Sequence, residues 1–330
     1  MKQKYLQTNL VYGATYANLF LNFHLRSILD KSNLPAIADQ YVLEYAIFTD
    51  DETVPILTAN KNFQRLAKLC EDSGGGIAFI KFEWPKEVTN RFDQRYGALV
   101  QMFKASADQA LKQNAWLTAW VADLVVAKGF YSKILKKIED GHGAVFVLPP
   151  RGGAEGMVGP LGKGEEALEA KELFTLVYEN MHPLWQACHW DTPQFSKLPF
   201  SLLWNSGTGL LARSFSITPI IIKPSQKMTE GRGMIDGDIP AMCENPYWCE
   251  DWTEAPVCGA EPIQCYFPAF INKTSDIPWV KQWSSCLDQT QLPLLKHKLY
   301  YPDKVTANIS DNISFTSDHV VNGILGGNNA

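Results

Sequence analysis

The stretch from Trp116 to Arg151, WLTAWVADLVVAKGFYSKILKKIEDGHGAVFVLPPR, restricts the fold more than any other part of the chain. The apolar run Val121 to Ala127 predicts a buried strand with Asp123 inside it, closed by Lys128-Gly129. Phe130 to Asp140 then carries Ile134, Leu135 and Ile138 at helical spacing, with lysines on the other side. Gly141 and Gly143 stop that helix. Ala144 to Leu148 predicts a second apolar strand, ended by Pro149-Pro150. Strand, helix, strand is the repeating unit of a parallel sheet. A carboxylate where such a strand runs out faces the crevice in which open α/β sheets bind ligands.

The same alternation precedes this stretch. Strands are expected near 5–12, 41–48 and 77–82. Helices are expected over Tyr16 to Leu29, Phe63 to Leu69 and Phe92 to Lys112, and a further one over Glu165 to Met181. Short joins between them argue for an α/β domain of three layers with a mostly parallel sheet. Beyond residue 181 the character changes. Trp185, Trp190, Trp204, Trp248, Trp252, Trp279 and Trp283 all lie there, prolines are frequent, and helical periodicity is poor. Ile217 to Lys223 predicts a strand, and Val305 to Thr316 alternates as a β-ribbon would. No linker divides the chain. The expectation is therefore one domain over 1–330, with a ligand-binding half at 1–150 and an irregular half at 151–330 packed on the sheet.

Composition narrows the function. With 46% hydrophobic residues in a chain of 330, a sizeable core can be buried. A net charge of −5 with no basic block disfavours nucleic acid as a partner. No apolar run reaches the length of a membrane span, and the first twenty residues lack the apolar core of a signal peptide, so a cytoplasmic protein is expected. Cys243, Cys249, Cys258 and Cys265 cluster without any CxxC, which fits free thiols better than a zinc module.

Three acidic groups can carry chemistry: Thr49-Asp50-Asp51-Glu52, Asp123, and Asp236-Gly237-Asp238. Carboxylates at strand ends hold Mg²⁺ or Mn²⁺ together with substrate phosphates. Each has a plainer explanation, since Asp-Gly is a common turn and Asp50-Asp51 can cap the next element. Asp123 ranks first, because a carboxylate among apolar neighbours needs a partner. Arg151 to Gly164 is glycine-rich without the P-loop pattern, position 157 being Met, and reads as a mobile loop over the strand ends. No Gly-x-Ser-x-Gly elbow and no GxGxxG after the first strand are present. His24, on an otherwise apolar helix, reads as a satisfied core residue.

Five segments together resemble a group of bacterial proteins related to the nucleotide-sugar glycosyltransferases of GT-A type. They are YGATYANLFLNFHLRSILDKSNLPAI, WVADLVVAKGFYSKILKKIEDGHGAVFVLPPR, ENMHPLW, ARSFSITPIIIKP and MIDGD. The resemblance implies a GT-A fold, a nucleotide lying against the first strand-helix joins, and an Asp-x-Asp motif holding a divalent metal on the diphosphate. On that basis Tyr12, Gly13, Thr49 and Arg151 would line the nucleotide, and Asp123 would hold Mn²⁺ or Mg²⁺ or sugar hydroxyls. Lys128 or Arg151 would offset leaving-group charge, and Asp236 and Asp238 would close the acceptor side, where a glycan or other small acceptor binds. The pattern is incomplete: position 125 is Val, so the second carboxylate is missing there, and Lys128 stands where another acid would be expected. A scaffold of this fold that binds a glycan or a partner protein without turnover is the alternative.

Overall fold

The computed structural model describes residues 2–81, 91–163, 166–196, 199–215, 217–230, 239–263, 270–272 and 292–326. Its centre is a seven-stranded sheet. Strand β1 (Lys4–Leu10) feeds helix α1 (Gly13–Leu19), a π-helical turn (Phe20–His24) and α2 (Leu25–Ile28). Next come α3 (Leu34–Gln40), β2 (Val42–Thr49), α4 (Thr53–Thr58), α5 (Lys61–Asp72) and β3 (Gly76–Lys81). Helix α6 (Arg91–Gln113) leads to β4 (Trp116–Val121), β5 (Leu124–Val126), α7 (Phe130–Glu139) and β6 (Ala144–Val147).

The second half continues with β7 (Arg151–Gly153), α8 (Ala154–Lys163), α9 (Ala170–Glu179), α10 (Pro183–Gln186), β8 (Gln194–Ser196), β9 (Ser201–Asn205), β10 (Leu210–Ser214) and β11 (Thr218–Ile222). Helices α11 (Gln226–Glu230) and α12 (Ile239–Met242) precede β12 (Pro246–Trp248), β13 (Val257–Glu261), β14 (Phe270–Asn272) and β15 (Leu299–Tyr301). Helices α13 (Lys304–Ala307) and α14 (Asp311–Leu325) close the described chain.

The large sheet runs β12-β6-β11-β4-β1-β2-β3. Its strands are parallel except β11, which is antiparallel to both β4 and β6. This is the α/β, three-layer, mostly parallel architecture that the sequence predicts. Burial on both faces explains why β1 shows no polar side: Tyr5, Gln7 and Asn9 turn toward α7 and β2's Tyr45, whereas Leu6 and Thr8 meet α6. A main apolar cluster draws on residues from Tyr5 to Tyr301. A three-stranded sheet, β5-β13-β7, sits beside the large one, and β15-β10-β9 forms another.

Gly75 lets β3 approach β2. A Cβ there would lie 2.0 Å from the Leu43 carbonyl oxygen, a backbone atom that a side-chain rotation does not move. Gly75→Ala is expected to cost about 2 kcal/mol, the range of overpacking. Urea denaturation of the two proteins measures it, and an unchanged midpoint would refute the close approach.

Four local expectations are corrected. The run Val121 to Ala127 is not one strand: the chain leaves the large sheet after Val121, turns at Ala122-Asp123, and enters the small sheet as β5. Apolar periodicity is blind to such a change of sheet, because both strands are buried. Residues 151–163 are not a mobile loop but β7 and α8. Gly152 and Gly156 serve contact: a Cβ at Gly152 would lie 2.2 Å from the Met157 sulfur, and one at Gly156 would lie 2.1 Å from the Asn180 side chain. Met157 is fully buried and anchors the segment. Val305 to Thr316 spans two helices with a short join at 308–310, rather than a β-ribbon. Asp303 accepts from the Thr306 N–H at 2.8 Å and Ser310 from the Ile313 N–H at 3.3 Å, two N-caps that outweigh a short alternating pattern. Val305 (89% exposed) and Phe315 (72% exposed) are the apolar residues that produced the false alternation. The predicted helix 165–181 is shorter, Ala170–Glu179, with a capping box between Glu169 and Glu172.

Candidate ligand site at the sheet edge

The order β3-β2-β1-β4 places β1 between two parallel neighbours that the chain reaches in opposite directions. The crevice outside the carboxyl ends of β1 and β4 is thus a topological switch point, where open α/β sheets bind ligands. Leu10 pairs in register with Phe48 on one side and Val121 on the other, so the residues after β1, β2 and β4 emerge at one edge. Those residues are Tyr12-Gly13, Thr49-Asp50 and Ala122-Asp123.

Several candidates are committed locally. Gly13 adopts a left-handed conformation (φ +66°), and its N–H donates to Thr53 Oγ1 at 2.8 Å. Tyr12 is half-buried, with its ring 5.0 Å from that of Tyr16. Asp50 caps α4 by accepting from the Thr53 N–H at 2.7 Å, and Asp51 pairs with Lys81 in an exposed ion pair. Thr49 is different: it is buried, and its hydroxyl has no hydrogen-bond partner among the described residues.

Asp123 is the centre of the site. It is 6% exposed, its carbonyl accepts from the Ala260 N–H at 2.8 Å, and its Oδ1 has no hydrogen-bond partner among the described residues. Burial pushes its carboxyl above the usual range, opposed by the Arg151 guanidinium. Pairing of β13 with β5 and β7 brings Arg151 and Glu261 to the same small sheet. Arg151 forms an ion pair with Glu261 and lies 5.6 Å from the centre of the Phe200 ring. Glu261 is 5% exposed, and its Oε2 has no partner among the described residues. His182 donates its backbone N–H to the Arg151 carbonyl at 2.9 Å; burial first, and then Arg151, lower the pKa of its ring.

Arg151 pairs with Glu261 and acts on the Asp123 carboxyl, whereas Lys128 stands apart. Lys128 lies beyond the far end of β5, with Nζ 3.4 Å from both Glu166 and Glu169. Asp236 and Asp238 lie outside the described residues. Glu261 carries no sequence signal: it sits in AEPIQC, with no motif around it, and only the strand pairing of β13 reveals it. Trp204 stacks on Trp190 and is buried, so it belongs to the core rather than to a sugar platform.

Asp123 Oδ1 and Glu261 Oε2 are each carboxylate oxygens of the kind that Mg²⁺ or Mn²⁺ takes, ions that use one or two carboxylates and complete their shell with water and phosphate. Among the described residues no group of three His, Cys, Asp or Glu forms a metal cluster. Cys243, Cys249 and Cys258 are free, and burial holds their thiols above the ordinary range; Cys265 is outside the described residues. Among those residues no helix is long and apolar enough to cross a membrane.

No family model and no curated protein matches the sequence. Among solved structures, the chain is similar to mouse xyloside xylosyltransferase 1 in its apo form, with a TM-score of 0.30 and 10% identity. The likeness covers 46% of this chain and 52% of that one, about half of each.

Proposed function

We propose that the chain is a glycosyltransferase-like enzyme that moves a sugar from a nucleoside-diphosphate donor to an acceptor hydroxyl. The observation that carries this reading is Asp123: a buried carboxylate with an oxygen unpartnered among the described residues, at the carboxyl end of β4, beside the switch point. An unpaired buried charge costs stability and persists where a ligand repays it.

Tyr12 and Thr49, at the ends of β1 and β2, would line the nucleoside. Asp123 and Glu261 would hold Mn²⁺ or Mg²⁺, the ion neutralising the donor diphosphate as its bond to the sugar breaks. Arg151 then faces the charge that develops on the leaving oxygen. In the transfer the anomeric carbon–oxygen bond breaks, its electron pair stays on the nucleoside diphosphate, a bond to the acceptor oxygen forms, and the acceptor hydroxyl gives up its proton to water. Asp236 and Asp238 would close the acceptor side. Lys128 has no part in this reading, because two glutamates already engage it. The five free cysteines among the described residues fit a reducing, cytoplasmic setting.

A thermal-shift series with UDP, GDP and CMP, each with and without Mn²⁺, tests the proposal. One nucleotide should raise the melting temperature, and more so with Mn²⁺. At 100 times Kd the expected gain is about 2.7 kcal/mol. No rise with any nucleotide would leave the scaffold without turnover as the better account.

A further inference from the structure

We infer that His24 and Asn9 are positioning residues that fix the turn carrying Asp123. The inference rests on the reading above only for what Asp123 does, not for how it is held. Two carbonyls bracket the turn, those of Val121 at the end of β4 and Leu124 at the start of β5. Each is held by a buried side chain from another element. Asn9 Nδ2 donates to the Val121 carbonyl at 3.1 Å, and His24 Nδ1 lies 2.6 Å from the Leu124 carbonyl. A carbonyl only accepts, so Nδ1 bears the proton. Burial lowers the His24 pKa to about 4, so the ring is neutral at pH 7 and its tautomer is fixed.

Both residues belong to one buried network. Tyr45 donates its hydroxyl proton to Asn9 Oδ1 at 2.5 Å and lies 3.4 Å from His24 Nε2. Gln7 Nε2 donates to Tyr45 at 3.4 Å, and Tyr131 donates to Gln7 Oε1 at 2.6 Å. The His24 ring is clamped by Phe20, stacked at 5.3 Å, and by the edge of Trp120 at 5.9 Å. The helix that delivers His24 is interrupted by the π turn Phe20–His24. One extra residue in a turn rotates the downstream helix by about 100°, and such bulges are frequent at functional sites. From the same helix Ser27 accepts from the Val126 N–H at 3.2 Å, so the change of sheet after β4 is strapped at successive points. A strand crossing between two buried sheets does not need its carbonyls held by a histidine. A carboxylate kept at a fixed place without any hydrogen bond to its Oδ1 from the described residues does need its backbone held.

His24→Asn keeps an N–H donor near the Nδ1 position, whereas His24→Gln places its amide at the reach of Nε2. The test compares these two with Asn9→Ser, which releases the turn from the opposite side. Three quantities are measured: the ¹³Cγ resonance of Asp123 (assigned with Asp123→Asn), the melting temperature, and affinity for the nucleotide that shifts the wild type. His24→Asn should keep the wild-type resonance. His24→Gln and Asn9→Ser should move it and weaken nucleotide binding about 10-fold or more. An Asp123 resonance unmoved in Asn9→Ser and in whichever His24 variants fold overturns the inference. So does a shift that is equal in His24→Asn and His24→Gln and tracks only the loss of melting temperature. If the wild type binds no nucleotide, the proposed function falls, and the resonance comparison alone still decides the positioning role.

Discussion

Asp123→Asn is expected to raise the melting temperature at neutral pH while lowering metal-dependent donor binding and transfer by about 100-fold or more. Both effects come from one observation: the Asp123 carboxylate is buried and its Oδ1 has no hydrogen-bond partner among the described residues. Burial raises its folded pKa, against the opposing pull of Arg151. Below the ordinary carboxylate pKa of about 3.9, both folded and unfolded chains carry the proton, and Asp123 costs nothing on this account. As pH rises past that value the unfolded chain releases its proton first, so the wild type loses stability until the raised folded pKa has been passed. Asparagine has no such titration and nearly the same shape. The gap between variant and wild type should therefore be small at low pH, open above about pH 4, and level off. Melting curves across pH, paired with nucleotide affinity in Mn²⁺, measure both parts. A variant that is less stable than wild type at neutral pH and binds nucleotide equally well would make Asp123 a structural carboxylate and remove it from the site.

The second large effect is on stability. Trp252→Ala should cost about 3–5 kcal/mol, a large part of what a domain possesses. The indole is fully buried, its Nε1 donates to the Val257 carbonyl at 2.8 Å, and its ring lies 5.9 Å from that of Phe174 on α9. Alanine opens a cavity between α9 and β13 and strands the Val257 carbonyl at the start of the strand that ends in Glu261. Trp252→Phe keeps most of the volume and loses the hydrogen bond, so it should recover more than half of the loss. Denaturant midpoints at constant m-value read both. A loss under about 1 kcal/mol for the alanine variant would contradict the packing described.

Of the large sheet, β1, β2, β3, β6 and β11 were legible in the residues alone, whereas β12 was not and β4 was expected only from Val121 onward. Ala144 to Val147 is apolar throughout because both of its faces are covered, and in Tyr5 to Leu10 and Val42 to Thr49 the polar residues Gln7, Asn9 and Glu44 each have a partner. The amphipathic pattern of Phe130 to Glu139 belongs to a helix with one covered face. The alternation also places Gly13 and Thr49 at one edge, since parallel strands joined by helices all end on the same side. The surroundings of Asp123 depended instead on tertiary pairing. The exit from the large sheet at Ala122 is invisible to periodicity, and Glu261, the ion-pair partner of Arg151, arrives from β13, far along the chain, in a segment without a motif. Lys128, which sequence proximity places beside Asp123, is carried away because an extended strand separates residues by about 3.3 Å each. The glycines of 151–163 look like a flexible loop in the sequence, because flexibility and close packing call for the same residue. What separates the two is Met157 and Asn180 lying where a Cβ would stand, a fact that exists only once the chain has folded.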